Sequence, residues 1–346
     1  MKALVLEEKL KLALRDFPDA ELDGPLGPED VRIRIKACGI CGSDVHYYQE
    51  GRIGDFIVNK PMVLGHEAAG EIIETGKNVK HLKVGDLVCM EPGIPKAFSP
   101  ETMSGNYNID PDVVFWATPP IHGCLRETVV HPSQFCFKLP KGMSAAEGAM
   151  MEPLAIGIES AKKAQIQPGD TALVIGCGTI GVMCAISALA GGCSKVYISD
   201  IKQEKLDTAG SVQNVIPVNT AKTDLYDFIM KETEGRGVDR IFEASGSPKV
   251  YPGFFRCAKK GAKVVLVGMM NGTVPIDVSF MQGQGISVET IFRYINCFDK
   301  AIALVGAGKI DIKKFISKTF KFDDAIEAYK YAAEGHGDVV KVMIEL

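Results

Sequence analysis

The segment Cys38-Gly39-Ile40-Cys41-Gly42-Ser43-Asp44-Val45-His46 brings two thiols, a hydroxyl, a carboxylate and an imidazole close together in the chain. Its C-x-x-C can serve as a redox pair or as half of a structural zinc site. The sequence has no second C-x-x-C to complete a four-cysteine cage. A thioredoxin-like site would need a different strand and helix context. A catalytic zinc is the alternative, since its few protein ligands leave a position open for water or substrate. Candidate ligands are Cys41, then His66 and the adjacent Glu67 in Gly65-His66-Glu67-Ala68-Ala69-Gly70, with Glu152 in Met151-Glu152-Pro153. A thiolate and a carboxylate would neutralise the dication and soften its drive to ionise a bound alcohol. Ligands so far apart carry no spacing signature, so His66 as a satisfied core histidine and Glu67 as a surface charge stay open on this ground alone.

A second chemistry is written in Gly176-Cys177-Gly178-Thr179-Ile180-Gly181. Glycines at this spacing allow a tight turn, close approach of backbone to a pyrophosphate, and packing of helix on strand. Exposed amides at the helix start, Thr179 and Ile180 included, would bind the phosphates. The motif alone is weak, but it follows an apolar strand, opens an apolar helix, and is followed 19 residues after Gly181 by Asp200, at the end of Lys195-Val196-Tyr197-Ile198-Ser199. A carboxylate there accepts from adenosine ribose hydroxyls and repels a 2′-phosphate, which favours NAD over NADP. Lys205 is the complicating cation, since it could serve a phosphate. A glycine turn beside a solvated surface Asp is the blander reading.

The elements that must hold these residues fall into two textures. Up to about residue 150 the chain reads as short β pieces between Gly/Pro turns, Val31 to Ala37, Glu71 to Glu74, Asp86 to Met90 and Phe135 to Leu139, which predicts an irregular, mostly antiparallel domain. A helical run, Leu154 to Ala164, follows. Strand candidates then come at Ala172 to Ile175, Lys195 to Ser199, Arg240 to Ala244, Lys263 to Gly268 and Ser287 to Phe292, most of them separated by helix-length stretches. That alternation predicts a doubly wound parallel sheet. A helix (Phe298 to Val305) and a final strand (Val339 to Glu345) would rejoin the first domain, giving 1–153 with 295–346 and 154–294.

The 346 residues exceed the usual size of one core, so two domains are expected. At 46% hydrophobic and 24% charged the composition is that of a globular chain. With 39 basic against 43 acidic residues and no Lys/Arg block, nucleic-acid binding is not expected. Thr171 to Ser194 carries no charge and is long enough to read as a membrane span, but five glycines interrupt it. A buried strand, a turn and a buried helix fit it better, and no membrane association is expected. Met1-Lys2-Ala3-Leu4-Val5-Leu6-Glu7-Glu8 becomes charged too early for a secretory signal, so the mature chain is expected to start there. The ten cysteines, several in apolar stretches, suit a reduced, cytoplasmic protein.

Six segments stand in a telling order: 38 to 46, 65 to 70, Val-Gly-Asp-Leu-Val (84 to 88), Ala-Thr-Pro-Pro (117 to 120), Glu-Pro-Leu-Ala (152 to 155) and Phe-Arg-Tyr (292 to 294). By them the chain resembles the medium-chain zinc-dependent dehydrogenases, in the sorbitol (L-iditol)/xylitol dehydrogenase branch, over nearly its whole length. The resemblance implies an α/β protein: a GroES-like, mostly β catalytic domain and a Rossmann domain. It implies zinc on Cys41, His66 and Glu67, with Glu152 touching the metal or its water, and Asp44 orienting the zinc histidine. Ser43 and His46 match a proton relay. Tyr47, Phe115, Thr118, Glu152, Arg293 and Tyr294 would meet a polyol. The remaining expected cofactor contacts are Val267, Gly268, Met269, Phe292 and Arg293.

Many relatives carry four closely spaced cysteines that hold a second, structural zinc. The matching stretch here, Pro95 through Asp110, has none, so one zinc per chain is expected, the catalytic one. The implied reaction passes a hydride from a secondary alcohol of a sorbitol- or xylitol-like polyol to NAD, giving the ketose. Polar side chains that an ethanol pocket would not need support that substrate class. For Arg293 an interface salt bridge is the rival role. Threonine or butanediol oxidation, and a non-catalytic relative, are the competing readings. A homo-oligomer, tetramer or dimer, is expected by analogy.

Overall fold

In the strand Asp30–Gly39, Val31, Ile33, Ile35 and Ala37 are buried and alternate with more exposed Arg32, Arg34 and Lys36, the period of a half-buried strand. This strand organises a seven-stranded sheet in a computed structural model that describes residues 1–18, 22–270 and 272–346. The sheet runs Cys136–Lys138, Leu87–Met90, Glu67–Thr75, Asp30–Gly39, Lys341–Glu345, Ile316–Lys321, with Thr128–Pro132 also pairing with Asp30–Gly39. All its pairings are antiparallel except that of Ile316–Lys321 with Lys341–Glu345. Its apolar residues, Ile33, Ile35, Ile72, Val88, Val129 and Ile344 among them, share one core. Burial of each such side chain contributes roughly 1.5–3 kcal/mol. The chain divides into two compact units, Met1–Glu152 with Val305–Leu346, and Pro153–Leu304. The first is discontinuous because the last strand, Lys341–Glu345, pairs with Asp30–Gly39.

The second unit holds a six-stranded, wholly parallel sheet in the order Val215–Asn219, Lys195–Asp200, Thr171–Ile175, Val238–Glu243, Ala258–Leu266, Ser287–Thr290. Numbered along the chain this is 3-2-1-4-5-6, the order of a dinucleotide-binding doubly wound sheet. The uncharged stretch from Thr171 resolves into a strand, a turn and the helix Thr179–Gly191, whose 13 residues span about 20 Å. Among the described residues no helix is long and apolar enough to cross a membrane.

The strand Val215–Asn219 is absent from the sequence reading because Pro217 interrupts its apolar run. It is the edge strand on its side of the sheet, where a missing N–H is tolerated. The cysteine-free lobe is tied together by Asp110. Its carboxylate accepts from the backbone N–H groups of Lys96 (2.6 Å) and Asp112 (2.8 Å) and from the hydroxyls of Ser99 (2.9 Å) and Thr102 (3.2 Å).

Candidate functional site

Cys41 caps the helix Gly42–Glu50 from an extended conformation (φ −87°, ψ 152°). Asp44, fully buried in the first turn, accepts from the backbone N–H of Cys41 and of Gly65, both at 3.3 Å. The same carboxylate lies 3.5 Å from Nδ1 of His66. One side chain thus fixes the loop that carries the thiol and the loop that carries the imidazole. Ligand atoms of Cys41, His66 and Glu67 lie within 4.8 Å of one another. A single ion with bonds of about 2.0–2.3 Å can bridge such a set after small adjustments.

The electrostatics also fit a cation. Burial works against a charged His66 ring, yet Asp44 and Cys41 outweigh it and hold its pKa well above the usual value. Burial likewise opposes charge on Lys341, and Glu67, with Cys41 next, overrides it and raises that pKa. Lys341 Nζ donates to both oxygens of Glu67, at 2.7 and 2.6 Å. Glu152 is buried at the start of the helix Met151–Lys163. Glu91, buried nearby, is pushed up to about 7 by desolvation; a hydrogen bond with Tyr107 opposes that shift and the charge of Glu152 adds to it. The donor set, one cysteine sulfur, one imidazole and buried carboxylates, fits zinc.

Around the cluster, Phe115 stands with its ring centroid 5.8 Å from that of His66. Thr118 donates its N–H to the carbonyl of Phe115 at 3.2 Å. Ser43 and His46 are partly exposed on the helix Gly42–Glu50, and Tyr47 is buried on it.

In the second unit the glycine turn shows why each position is a glycine. Gly176 has φ +94°, Gly178 has open space where a Cβ would stand, and a Cβ on Gly181 would lie 1.9 Å from the carbonyl oxygen of Gly176. Thr179 and Ile180 open the following helix and are partly exposed. Asp200 accepts from the N–H of Cys177 at 2.8 Å and of Lys202 at 3.0 Å. A cavity of about 680 Å³ is lined by Gly176, Asp200, Ile201, Thr220, Ser245 and Lys249. An open cradle beside a carboxylate at the end of the second strand suits a dinucleotide.

Lys205 lies on the helix Gln203–Gly210, where its carbonyl accepts from the Cys177 thiol at 3.3 Å. Val267 and Gly268 both donate their N–H to the Glu243 carbonyl at 2.8 Å, and Met269 is exposed. Beyond the edge strand, Arg293 takes a left-handed φ of +59° and stacks its guanidinium 4.7 Å from the Phe292 ring centroid. Tyr294 is buried edge-on against Phe298.

Known proteins match along both units. The alcohol dehydrogenase GroES-like domain matches residues 27–141, and the zinc-binding dehydrogenase domain residues 179–307. A D-xylulose reductase of Morganella morganii is 52% identical over 96% of this chain and 98% of its own. A sorbitol dehydrogenase of Arabidopsis thaliana is 38% identical over 93% and 90%. This chain belongs to the medium-chain zinc-dependent dehydrogenases, in their sorbitol/xylitol branch. The crystal structure of 2R,3R-butanediol dehydrogenase from Bacillus subtilis, 29% identical, superposes with a TM-score of 0.89 over 100% of this chain and 99% of that one. The GroES-like and Rossmann architectures of the family are those of the two units.

Lys341 and Glu91 escaped the sequence reading of this dehydrogenase. For Lys341 a signal existed: it is a lone charge inside the apolar run Val339-Val340-Lys341-Val342-Met343-Ile344. Its partner, 274 residues away in sequence, had no local mark.

Proposed function

We propose that this dehydrogenase interconverts a secondary alcohol of a small polyol and the corresponding ketose with NAD, the D-xylulose/pentitol pair first among them, on one zinc held by Cys41, His66 and Glu67. The observation that carries the reaction is the gathering of those three ligand atoms within 4.8 Å, with His66 and Glu67 buried and the Asp44 carboxylate beside them. The substrate class is supported by 52% identity to a protein named D-xylulose reductase and 38% to one named sorbitol dehydrogenase. NAD rather than NADP is supported by Asp200 beside the glycine turn, where a 2′-phosphate would meet a carboxylate. A single zinc is supported by Asp110, whose four hydrogen bonds hold the lobe that four cysteines hold in many relatives.

When bound, the zinc supplies Lewis-acid polarisation that brings an alcohol's pKa toward neutrality, and NAD supplies the hydride acceptor. Asp44 keeps His66 in place through its Nδ1 side and the thiol loop through the Cys41 N–H. Ser43 and His46 would carry the alcohol proton away, and Glu152 would help hold the metal. Phe115 walls the site beside His66. Tyr47, Thr118, Glu152, Arg293 and Tyr294 meet the polyol, and Arg293 with Phe292, Val267, Gly268, Met269 and Lys205 meets the cofactor. Ten free thiols suit a reducing cytoplasm, and the family resemblance supports a homo-oligomer, dimer or tetramer.

The test is an NAD-linked activity screen over xylitol, sorbitol, threonine and butanediol, with zinc content measured on the same sample. Polyol turnover with one zinc per chain is the expected result. Dominant turnover of threonine or butanediol would remove the substrate assignment. Cys41→Ser should lose both zinc and turnover while NADH binding stays at the wild-type level, and full turnover in that variant would refute the metal assignment.

A further inference from the structure

The second unit carries a further cavity, to which the reaction scheme above gives no task. It measures about 420 Å³ and is bounded by the helices Leu225–Glu232 and Val278–Gln284 and by the first residues of the strand Ala258–Leu266. Four cations line it, Arg236, Arg256, Lys259 and Lys260, together with the rings of Tyr226 and Phe280, and among the described residues no carboxylate does. In a chain of net charge −4 this is a local excess of the opposite sign, and the low-dielectric walls of a concavity focus the field it makes. Two of the cations are partly spent. Lys259 Nζ donates to Asp239 at 2.6 Å, and Arg236 stands 3.6 Å from Glu234 in a pair so exposed that solvent screens most of it. Arg256 and Lys260 are exposed, and neither has a carboxylate partner among the described residues. Arg256 instead lies over Tyr226, its guanidinium carbon 5.1 Å from the ring centroid.

We propose that this cavity is a second nucleotide site, which takes a nucleoside phosphate apart from the cofactor. Guanidinium forks match the oxygens of a phosphate and an ammonium adds a point charge, so Arg236, Arg256 and Lys260 suit a phosphate chain. A base needs a flat partner, and the stack of Arg256 on Tyr226 offers one, with Phe280 as an apolar flank. Gln284, also in the lining, both donates and accepts and can pair with a base edge. The volume falls within the range of about 300–1,000 Å³ that small-molecule sites occupy. An inorganic anion alone would leave both rings and the amide unused. Tyr226 also lines the cavity beside Gly176 and Asp200, so the two cavities share a wall but not their cations. A cluster of charges that served only solubility would hold any anion weakly and release it at physiological ionic strength, where exposed charges more than about 8 Å apart are screened. The proposal does not depend on the zinc or polyol assignments, since every residue it uses lies in the second unit.

ADP also fits a cofactor site, so the experiment uses the enzyme saturated with NADH. Equilibrium dialysis at about 0.15 M salt compares ADP, adenosine and inorganic pyrophosphate as probes. One ADP should bind per chain with a Kd below about 1 mM, at least about tenfold more tightly than either pyrophosphate or adenosine. Arg256→Gln should weaken ADP by at least about tenfold, and Lys260→Gln by at least about threefold. Should Arg256→Gln fail to fold, Lys260→Gln carries the comparison. ADP binding that falls in step with rising NADH belongs to the cofactor cavity and overturns the proposal. Pyrophosphate that binds as tightly as ADP removes the ring from the site and overturns it too, as does an unchanged ADP affinity in the folded variants.

Discussion

Alanine at Gly178 and alanine at Gly181 should separate the two duties of the glycine turn. At Gly178, the N-cap of the helix Thr179–Gly191, φ is −80° and an added Cβ meets nothing within 4 Å. Alanine is a poorer N-cap than glycine but reduces the entropy of the unfolded chain, and the two effects cancel to within about 0.5 kcal/mol. At Gly181 the added Cβ would stand 1.9 Å from the Gly176 carbonyl oxygen and 2.9 Å from its carbon. Backbone cannot rotate out of the way as a flexible side chain can, so the overpacking cost lies at the upper end of about 1–3 kcal/mol. Alanine's helix propensity returns about 1 kcal/mol. The net loss of about 2 kcal/mol corresponds to a drop of roughly 4–8 °C in Tm for a unit of this size. Thermal unfolding without cofactor should therefore leave Gly178→Ala within about 2 °C of the wild type and lower Gly181→Ala by several degrees. NADH fluorescence titration should show both variants weakened, Gly178→Ala by at least about tenfold, or about 1.4 kcal/mol. A wild-type NADH affinity in Gly178→Ala would refute the claim that open space above that residue is where the pyrophosphate approaches. An unchanged Tm in Gly181→Ala would refute the packing claim.

Two further outcomes follow from the same geometry. Asp200→Gly removes the acceptor of two backbone amides as well as the charge, so both cofactors should bind more weakly; NADP should lose less, and the NAD/NADP ratio of kcat/KM should fall at least about tenfold, an unchanged ratio removing Asp200 from the ribose site. His131 is buried with Nε2 donating to the Glu91 carbonyl at 2.8 Å, and desolvation, with the Glu91 bond opposing and the charge of Arg126 adding, holds its pKa down at about 4 against an ordinary 6.5. The unfolded chain thus takes up a proton that the folded chain refuses, so stability is full above pH 6.5 and is lost as pH falls through the window to about 4. Between pH 6.5 and 5 the wild type should lose about 1.5 kcal/mol more than His131→Gln in urea unfolding, and parallel losses would refute the assignment.

What was legible in the sequence was local. The dinucleotide turn announces itself because the steric demands of one strand-turn-helix connection fall within six residues, Gly176 to Gly181, and its carboxylate ends the next strand. The helices Met151–Lys163 and Phe298–Gly306 and most central strands were legible for the same reason. Elements whose pattern is mixed were not. The hairpin Lys2–Glu8/Lys11–Asp16 holds only short apolar runs, Ala3 to Leu6 and Leu12 to Leu14, closed in by charged residues, and Ile316–Lys321 spaces its apolar residues among lysines. Neither had a run long enough to stand out from the turns around it.

The metal cluster was illegible from spacing because its geometry is a product of topology. Successive residues on a strand face opposite sides, so a His-Glu pair inside a strand would not converge on one ion. Here the strand begins only at Glu67, and Gly65, with φ +89° and room for no Cβ beside the Cys38 sulfur, turns the chain so that His66 and Glu67 both meet Cys41. Asp44 ties that turn to the thiol loop, and Gly39 clears the path by which a lysine from the last strand reaches the carboxylate. Gly39, Gly65 and Lys341 are informative only for what they omit or whom they touch across the sheet. A sequence read along its length can nominate the donors, but the ammonium bonded to one of them arrives from the far end of the chain.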